Sequence, residues 1–485
     1  MTAKHHPLGV IPLFFILGLA IVSRLLDFNG LYGQDAHEYL RLGHVYAGLM
    51  AGQPYSAHSA GDAEFAVGYP LAGALLARSG LDIRTAMQCI SWISAGLALL
   101  FFDRCLQVLS PGARAQSRWM FTGLTLMLSP CFVRAGMTVM SDALGLALAL
   151  AALEQGFRVL ETGRPGRAVV AAVLCGLAVC TRFSLAGLLA AFAATLLFYL
   201  LQNRKWWMAV ATLAAGLLAL LPHFLLKPAG AENVLSHSLL ENWSLSNHFK
   251  AVFSNANGTV DYSLPNILYM LFPLSHPWFC LLLPGLWLLF KRTDVHLISK
   301  KMIVACLVCY LVFLGGIPHQ NLRYLLPAYA LLLLILFPAW DRMFAYGFYF
   351  FKRLTLAVVI VALSVQLIAT ILILRPVIAR NRLEKSIATT LRDALPADAT
   401  LYAFDLDVAL KTYLPGMQIL NLWERAYPSF SDGSYFLFNE PRLRQQWEGH
   451  NPMINWERAN ETRQLSEFRQ LPDGWTLYRI KAAEK

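Results

Sequence analysis

Long apolar runs recur along the first three quarters of the chain, separated by short polar turns. A run of about 20 apolar residues is the length of a helix that crosses a bilayer. About eleven segments fit that length, over 8–26, 85–109, 118–136, 138–157, 167–181, 184–202, 206–226, 265–290, 302–318, 322–340 and 354–376. The first has the look of a signal peptide, with Lys4 before an apolar stretch, but no small-residue cleavage site follows and Ser23-Arg24-Leu25-Leu26 reads as a retained end.

The pattern changes after residue 376. The span 377–485 alternates charged helical stretches with short β-prone runs. Arg382–Leu395 and Pro441–Glu448 read as helices, and Thr400–Phe404, Gln418–Leu422, Tyr435–Phe438 and Trp475–Ile480 as strands. The expected architecture is an all-α polytopic membrane protein of about eleven transmembrane helices over 1–376, followed by a small α/β extracytoplasmic domain over 377–485.

Basic residues set the orientation. Arg104, Arg114 and Arg118, Arg158, Arg164 and Arg167, Arg204 and Lys205, Lys291, Arg292, Lys300 and Lys301, and Arg342, Lys352 and Arg353 collect in short turns on one side. The positive-inside rule places that side in the cytoplasm together with the amino terminus. An odd number of spans then places the tail outside, on the side that receives two long loops, 27–84 and 227–264. The implied location is the cytoplasmic, or inner, membrane.

Composition agrees with this pattern. Of 485 residues, 57% are hydrophobic and 14% charged. A soluble domain carries about 25% charged residues, so a soluble enzyme, a disordered chain, a coiled coil and a disulfide scaffold are excluded. The net charge of +11 comes from 40 basic and 29 acidic residues. It does not require a nucleic-acid partner, because the basic turns account for it. The 8 cysteines lie in or beside apolar runs, so Cys306-x-x-Cys309 reads as packing rather than redox chemistry.

Candidate chemistry gathers on the outer side. In the first outer loop, Gly33 and Gln34 precede a helix start that Asp35 caps. At 3.6 residues per turn, Asp35, Tyr39, Leu42, Tyr46 and Leu49 share one stripe, while Glu38 and Arg41 lie off it at i,i+3. A carboxylate on an apolar stripe is costly unless paired or used. A second short helix opens at Gly68-Tyr69-Pro70. Arg134, Asp142 in Met140-Ser141-Asp142, Arg182 in Thr181-Arg182-Phe183-Ser184, and Arg323 in Asn321-Leu322-Arg323-Tyr324 all fall at outer ends of spans. One such arginine is an ordinary interfacial anchor. Several on one face suggest a shared cavity.

These motifs, in this order over 1–376, resemble the GT-C integral membrane glycosyltransferases, closest to the protein mannosyltransferase, aminoarabinose transferase and lipopolysaccharide-core transferase group. They are Gly33-x-Asp35-x-x-x-Tyr39-Leu40, Gly68-Tyr69-Pro70-Leu71, Ser141-Asp142, Thr181-Arg182-x-Ser184 and Arg323-Tyr324-Leu-Leu-Pro327. The resemblance implies an inverting transferase using a polyprenyl-phosphate sugar on the non-cytoplasmic side, with Asp35 as the catalytic carboxylate of the loop. Two positions depart from the common pattern: Ala36 follows Asp35 where many members have Glu, and Val67 precedes Gly68 where many have Pro.

The chemistry expected of such a site is simple. The leaving group is already a phosphate, so a base for the acceptor proton and cations for the departing phosphate suffice. Asp35 is the candidate base. Arg182 and Arg323 are the first candidates for the phosphate and Arg134 the third, and Asp142 would orient an arginine, bind the sugar or help hold a divalent metal. Glu38 and Tyr69 complete the expected substrate-binding set. The acceptor is a lipid, a glycan or a protein. The competing readings are a transporter or flippase for lipid-linked sugars and a non-catalytic polymer-export subunit. Against the first stands the lack of two matching halves with broken spans.

Overall fold

The computed structural model describes residues 7–53, 65–226, 240, 242–255, 258–280, 297–350, 352–461 and 465–481. It divides into two compact units. The first gathers Met1–Gly30, Leu42–Lys250 and Leu264–Arg375, the second Leu31–Arg41, Ala251–Ser263 and Pro376–Lys485.

The first unit is helical. Among the described residues, 6 helices are long and apolar enough to cross a membrane: Ile83–Leu109, Asp142–Thr162, Phe183–Gln202, Trp206–Leu226, Leu322–Arg342 and Ile360–Ala394. The last of these continues into the second unit. The number becomes 7 if the bent pair Ala115–Met127 and Pro130–Met137 is one span. This is fewer than the eleven segments expected, for reasons that can be located. Ile11–Leu25 and Gly166–Thr181 are apolar helices but shorter than a full crossing. Segment 265–290 starts as two short turns, Asn266–Tyr269 and Phe272–Ser275, and its remainder, 281–290, lies outside the described residues.

The segment expected at 118–136 is broken by 76°. Pro130 starts its second half, and a proline there has no amide hydrogen to continue the ladder. Polar groups freed in an apolar setting need partners, and they find them. Thr370 Oγ1 donates to Leu128 O at 2.7 Å and Gln366 Nε2 to Phe279 O at 3.0 Å. The Cys131 amide and the Ser129 hydroxyl both donate to Trp278 O, at 2.9 and 3.0 Å.

The second unit contains an antiparallel hairpin, β1 (Val252–Asn255) and β2 (Gly258–Asp261), and a five-stranded sheet. The sheet strands are β3 (Thr400–Ala403), β4 (Gln418–Asn421), β5 (Tyr435–Phe438), β6 (Leu465–Gln470) and β7 (Thr476–Ile480), in the order β4-β3-β5-β7-β6. β3 runs parallel to β4 and β5, and β7 runs antiparallel to β5 and β6. Alternation along the central strands fills two cores. Leu401, Ala403 and Leu437 join one with Ile387, Leu391 and Trp475, while Tyr402, Phe404, Phe436 and Phe438 join the other with Tyr427 and Trp456. A sheet covered on both faces explains why these strands read as unbroken apolar runs. The helix expected at Arg382–Leu395 is the end of a longer one, Lys352–Ala394, with Pro376 inside it.

Asp407 opens the helix Asp407–Tyr413 and is fully buried, and its two carboxylate oxygens have no hydrogen-bond partner. Burial pushes its pKa up to about 7, although the Lys411 ammonium opposes this. A raised acid holds its proton in the folded state over a range where the unfolded chain has lost it. The stability it contributes is therefore full at low pH and declines as pH rises from the usual value of 3.8 to about 7. Asp407→Asn should raise the melting temperature of the detergent-solubilised protein at pH 8, by an amount equivalent to roughly 4 kcal/mol, and change it little at pH 4. Equal shifts at both values would show that the carboxylate is not held neutral.

Candidate functional site

Three chain junctions of the first unit meet at Arg182. The helix Gly166–Thr181 ends on this residue, whose extended backbone turns the chain into Phe183–Leu185. Its side chain is only 7% exposed. Nη1 donates to Asp142 Oδ1, and Nε donates to Ser184 Oγ at 3.0 Å. The guanidinium lies 4.8 Å from the Tyr324 ring centroid. Its Nη2 is buried without a hydrogen-bond partner.

Local sequence explains this placement. Asp142 sits in the first turn of Asp142–Thr162, where the helix dipole favours a carboxylate. Gly145, three residues on and on the same face, leaves room for the arginine: a Cβ there would meet Arg182 Cβ at 3.3 Å and Leu185 Cδ1 at 3.1 Å. Gly68 does the same beside Thr181, where an added Cβ would stand 2.7 Å from Thr181 Oγ1 and 2.9 Å from Cys180 O. The start of Gly68–Ala77 thereby packs next to the Arg182 junction.

Arg323 belongs to the third junction. Asn321 Oδ1 accepts the Arg323 amide at 3.3 Å and starts the turn Leu322–Leu325. Tyr310 Oη donates to Tyr324 O at 2.7 Å, and Tyr269 Oη donates to Asn321 O at 2.6 Å, which fixes the turn on both sides. Arg323 Nη1 donates to Met140 Sδ at 3.2 Å, and its guanidinium lies 5.4 Å from the same Tyr324 ring. Arg134 lies 5.4 Å over the Trp278 ring. Arg182 and Arg323 thus share the Tyr324 ring and Arg182 pairs with Asp142, so two arginines meet one carboxylate, while Arg134 stands over Trp278.

Tyr69 is placed differently. It is fully buried, its hydroxyl donates to Met87 O at 3.0 Å, and the Ser91 hydroxyl lies at 2.8 Å. It ties Gly68–Ala77 to Ile83–Leu109.

Asp35 and Glu38 belong to the second unit. Both lie on the helix Gly33–Met50, which begins at Gly33 with φ +66°. Asp35 stands in its first turn, half-buried, and Tyr39 is buried one turn further on. Glu38 accepts from Arg41 Nε at 2.8 Å, the i,i+3 pair expected from the sequence.

Three further residues of these sites have roles that only the tertiary structure reveals. Tyr324 carries both arginines on one ring, and Ser184 holds Arg182 Nε. Their signal was adjacency to the arginines in the Arg-Tyr and Arg-x-Ser motifs. His37, two positions after Asp35, is fully buried against Glu384 and Thr412. Its partners lie 347 and 375 residues away, so no local pattern pointed to it. Among the described residues, no three His, Cys, Asp or Glu side chains group as a metal site.

Neither a protein-family model nor a curated protein matches the chain. Solved structures do. The crystal structure of ArnT from Cupriavidus metallidurans bound to undecaprenyl phosphate aligns with a TM-score of 0.59 at 15% identity, covering 97% of each chain. The same protein in the apo state aligns at 0.55 and 14% identity, over 96% of this chain and 98% of ArnT. The chain therefore shares the fold of ArnT over nearly all of its length.

Proposed function

We propose that this protein is an inverting glycosyltransferase that moves a sugar from a polyprenyl phosphate to a lipid, glycan or protein acceptor on the outer face of the cytoplasmic membrane. One observation carries the reading: Arg182, buried and stacked on Tyr324, keeps an Nη2 donor without a partner in a neighbourhood where cations outnumber carboxylates. A buried unsatisfied donor of this kind calls for an acceptor, and the excess positive charge selects an anion. A polyprenyl phosphate meets both requirements, and ArnT, which has this fold, has been solved with undecaprenyl phosphate bound.

In this reading Arg182 and Arg323 hold the phosphate and neutralise it as it departs. Their charge acts strongly because the surroundings are apolar. Asp142 keeps Arg182 in place, and Ser184 and Tyr324 fix the plane of its guanidinium. Asp35 takes the acceptor proton as the acceptor oxygen attacks C1 of the sugar. The C1–phosphate bond breaks on the opposite side, and one displacement inverts the anomeric centre. The distribution of basic turns supports a cytoplasmic amino terminus and a sheet domain on the outer side.

The test uses purified protein in lipid nanodiscs with a panel of undecaprenyl-phosphate hexoses and aminopentoses, and membrane extracts as acceptor. The expected result is one glycosylated product, equimolar release of undecaprenyl phosphate, and an anomeric proton coupling opposite to the donor's. Transfer with retained configuration would refute the single displacement. Vesicle uptake of the lipid-linked sugar with no glycosidic product would favour the transporter.

A further inference from the structure

Within the second unit, the turn that carries Asp35 is held by a buried polar chain that the proposed chemistry does not use. His37 is fully buried, and Glu384 is 1% exposed. His37 Nδ1 lies 3.0 Å from Thr412 Oγ1, and Nε2 lies 3.2 Å from Glu384 Oε2. The Thr412 hydroxyl also lies 3.2 Å from Val408 O, so it bridges His37 to its own helix. Whichever tautomer the ring adopts, both of its nitrogens face a polar partner.

The chain continues outward from the carboxylate. Arg380 Nε donates to Glu384 Oε1 at 2.7 Å, and Arg380 Nη1 donates to Asp405 Oδ2 at 3.0 Å. The edge of the Tyr413 ring closes the remaining side of the imidazole, with centroids 5.5 Å apart. A second tie lies nearby, where Asn381 Nδ2 donates to Leu31 O at 2.7 Å. Every partner of His37 comes from Lys352–Ala394 or Asp407–Tyr413, far from it in sequence. A buried histidine gripped at both nitrogens cannot shift without leaving polar groups unpaired, which makes it a stiff anchor.

We propose that His37 is a positioning residue: through Glu384 and Thr412 it fixes the helical turn that carries Asp35, so the transfer rate depends on it through Asp35. The inference rests on the transferase reading for its effect on rate, and on geometry alone for the anchoring. Misplacing a base by about 1 Å costs up to about a hundredfold in rate. Binding of the lipid phosphate, which uses groups of the other unit, should not change.

The full-length protein in nanodiscs tests both parts. In His37→Ala, turnover of an undecaprenyl-phosphate sugar should fall at least tenfold, with KM and the Kd for undecaprenyl phosphate within twofold of wild type. Backbone amides of 35–41 should exchange with deuterium about tenfold faster, while those of β3 and β5 keep their protection. His37→Gln, whose side-chain amide can donate to Glu384, should recover most of the turnover. Glu384→Gln combined with His37→Ala should be no worse than His37→Ala alone, because the two act as one unit. Turnover within twofold of wild type in His37→Ala would overturn the positioning role. So would faster exchange throughout the sheet domain without rescue by Gln, which marks a residue that merely supports the fold. If the wild type transfers no sugar, the transferase reading fails, and the exchange of 35–41 still decides whether His37 anchors that turn.

Discussion

Asp35→Asn should lower sugar transfer by about 10²–10⁴-fold and leave undecaprenyl phosphate binding within twofold of wild type. Asparagine has nearly the same shape, so the helix Gly33–Met50 keeps its start and the change removes one basic oxygen. The carboxylate stands in the first turn of that helix, half-buried on the stripe that continues to buried Tyr39, Leu42 and Tyr46. A group in that setting can meet an acceptor hydroxyl while remaining partly screened from bulk water. Glu38 is a poor substitute, because its carboxylate is engaged by Arg41 at 2.8 Å. Glu38→Gln should accordingly change turnover far less than Asp35→Asn. Wild-type turnover in Asp35→Asn would remove the base assignment.

Asp142→Asn should cost the fold roughly 3–5 kcal/mol, the usual effect of leaving a buried charge without its counter-ion. Both partners of the Asp142–Arg182 pair are buried, at 4% and 7% side-chain exposure. Asparagine removes the counter-charge and leaves Arg182 beside Arg323, and the melting temperature in detergent should drop clearly. The double variant Asp142→Asn with Arg182→Met takes away the stranded charge and should recover most of the stability. It should not recover transfer, because the buried Nη2 and its charge are gone. Loss of such a donor is worth about 10²–10³ in rate at comparable sites. A double variant that regained both stability and transfer would reduce the pair to a structural ion pair.

Much of this was legible along the chain, and the reasons differ by element. The helical membrane part follows from run length and from charge confined to turns. Strands β3 and β5 were visible because burial on both faces makes them apolar throughout, as Tyr435–Phe438 shows. Edge strand β6 was not expected, since Leu465–Gln470 is mostly solvent-facing and polar. The short helices Asp407–Tyr413 and Asn451–Glu461 were also missed, each being too short to establish a period. The break at Ser129-Pro130 was readable in principle, but its support by Thr370 and Gln366 comes from 242 and 238 residues away. For the site, Asp142, Arg182 and Arg323 stood out as charges at the ends of apolar runs, which are costly without a purpose. Their convergence on Tyr324 is tertiary. Tyr69 shows the opposite case, a motif residue whose hydroxyl binds the scaffold at Met87 O and Ser91.

Binding of undecaprenyl phosphate to the purified protein, measured by native mass spectrometry for wild type, Asp35→Asn, Arg182→Gln and Arg323→Gln, tests the central claim most directly. The account predicts that wild type and Asp35→Asn retain the lipid equally, and that each arginine variant weakens it by at least tenfold. Equal retention by all four proteins would mean that the phosphate does not sit on Arg182 and Arg323, and would contradict the account at its root.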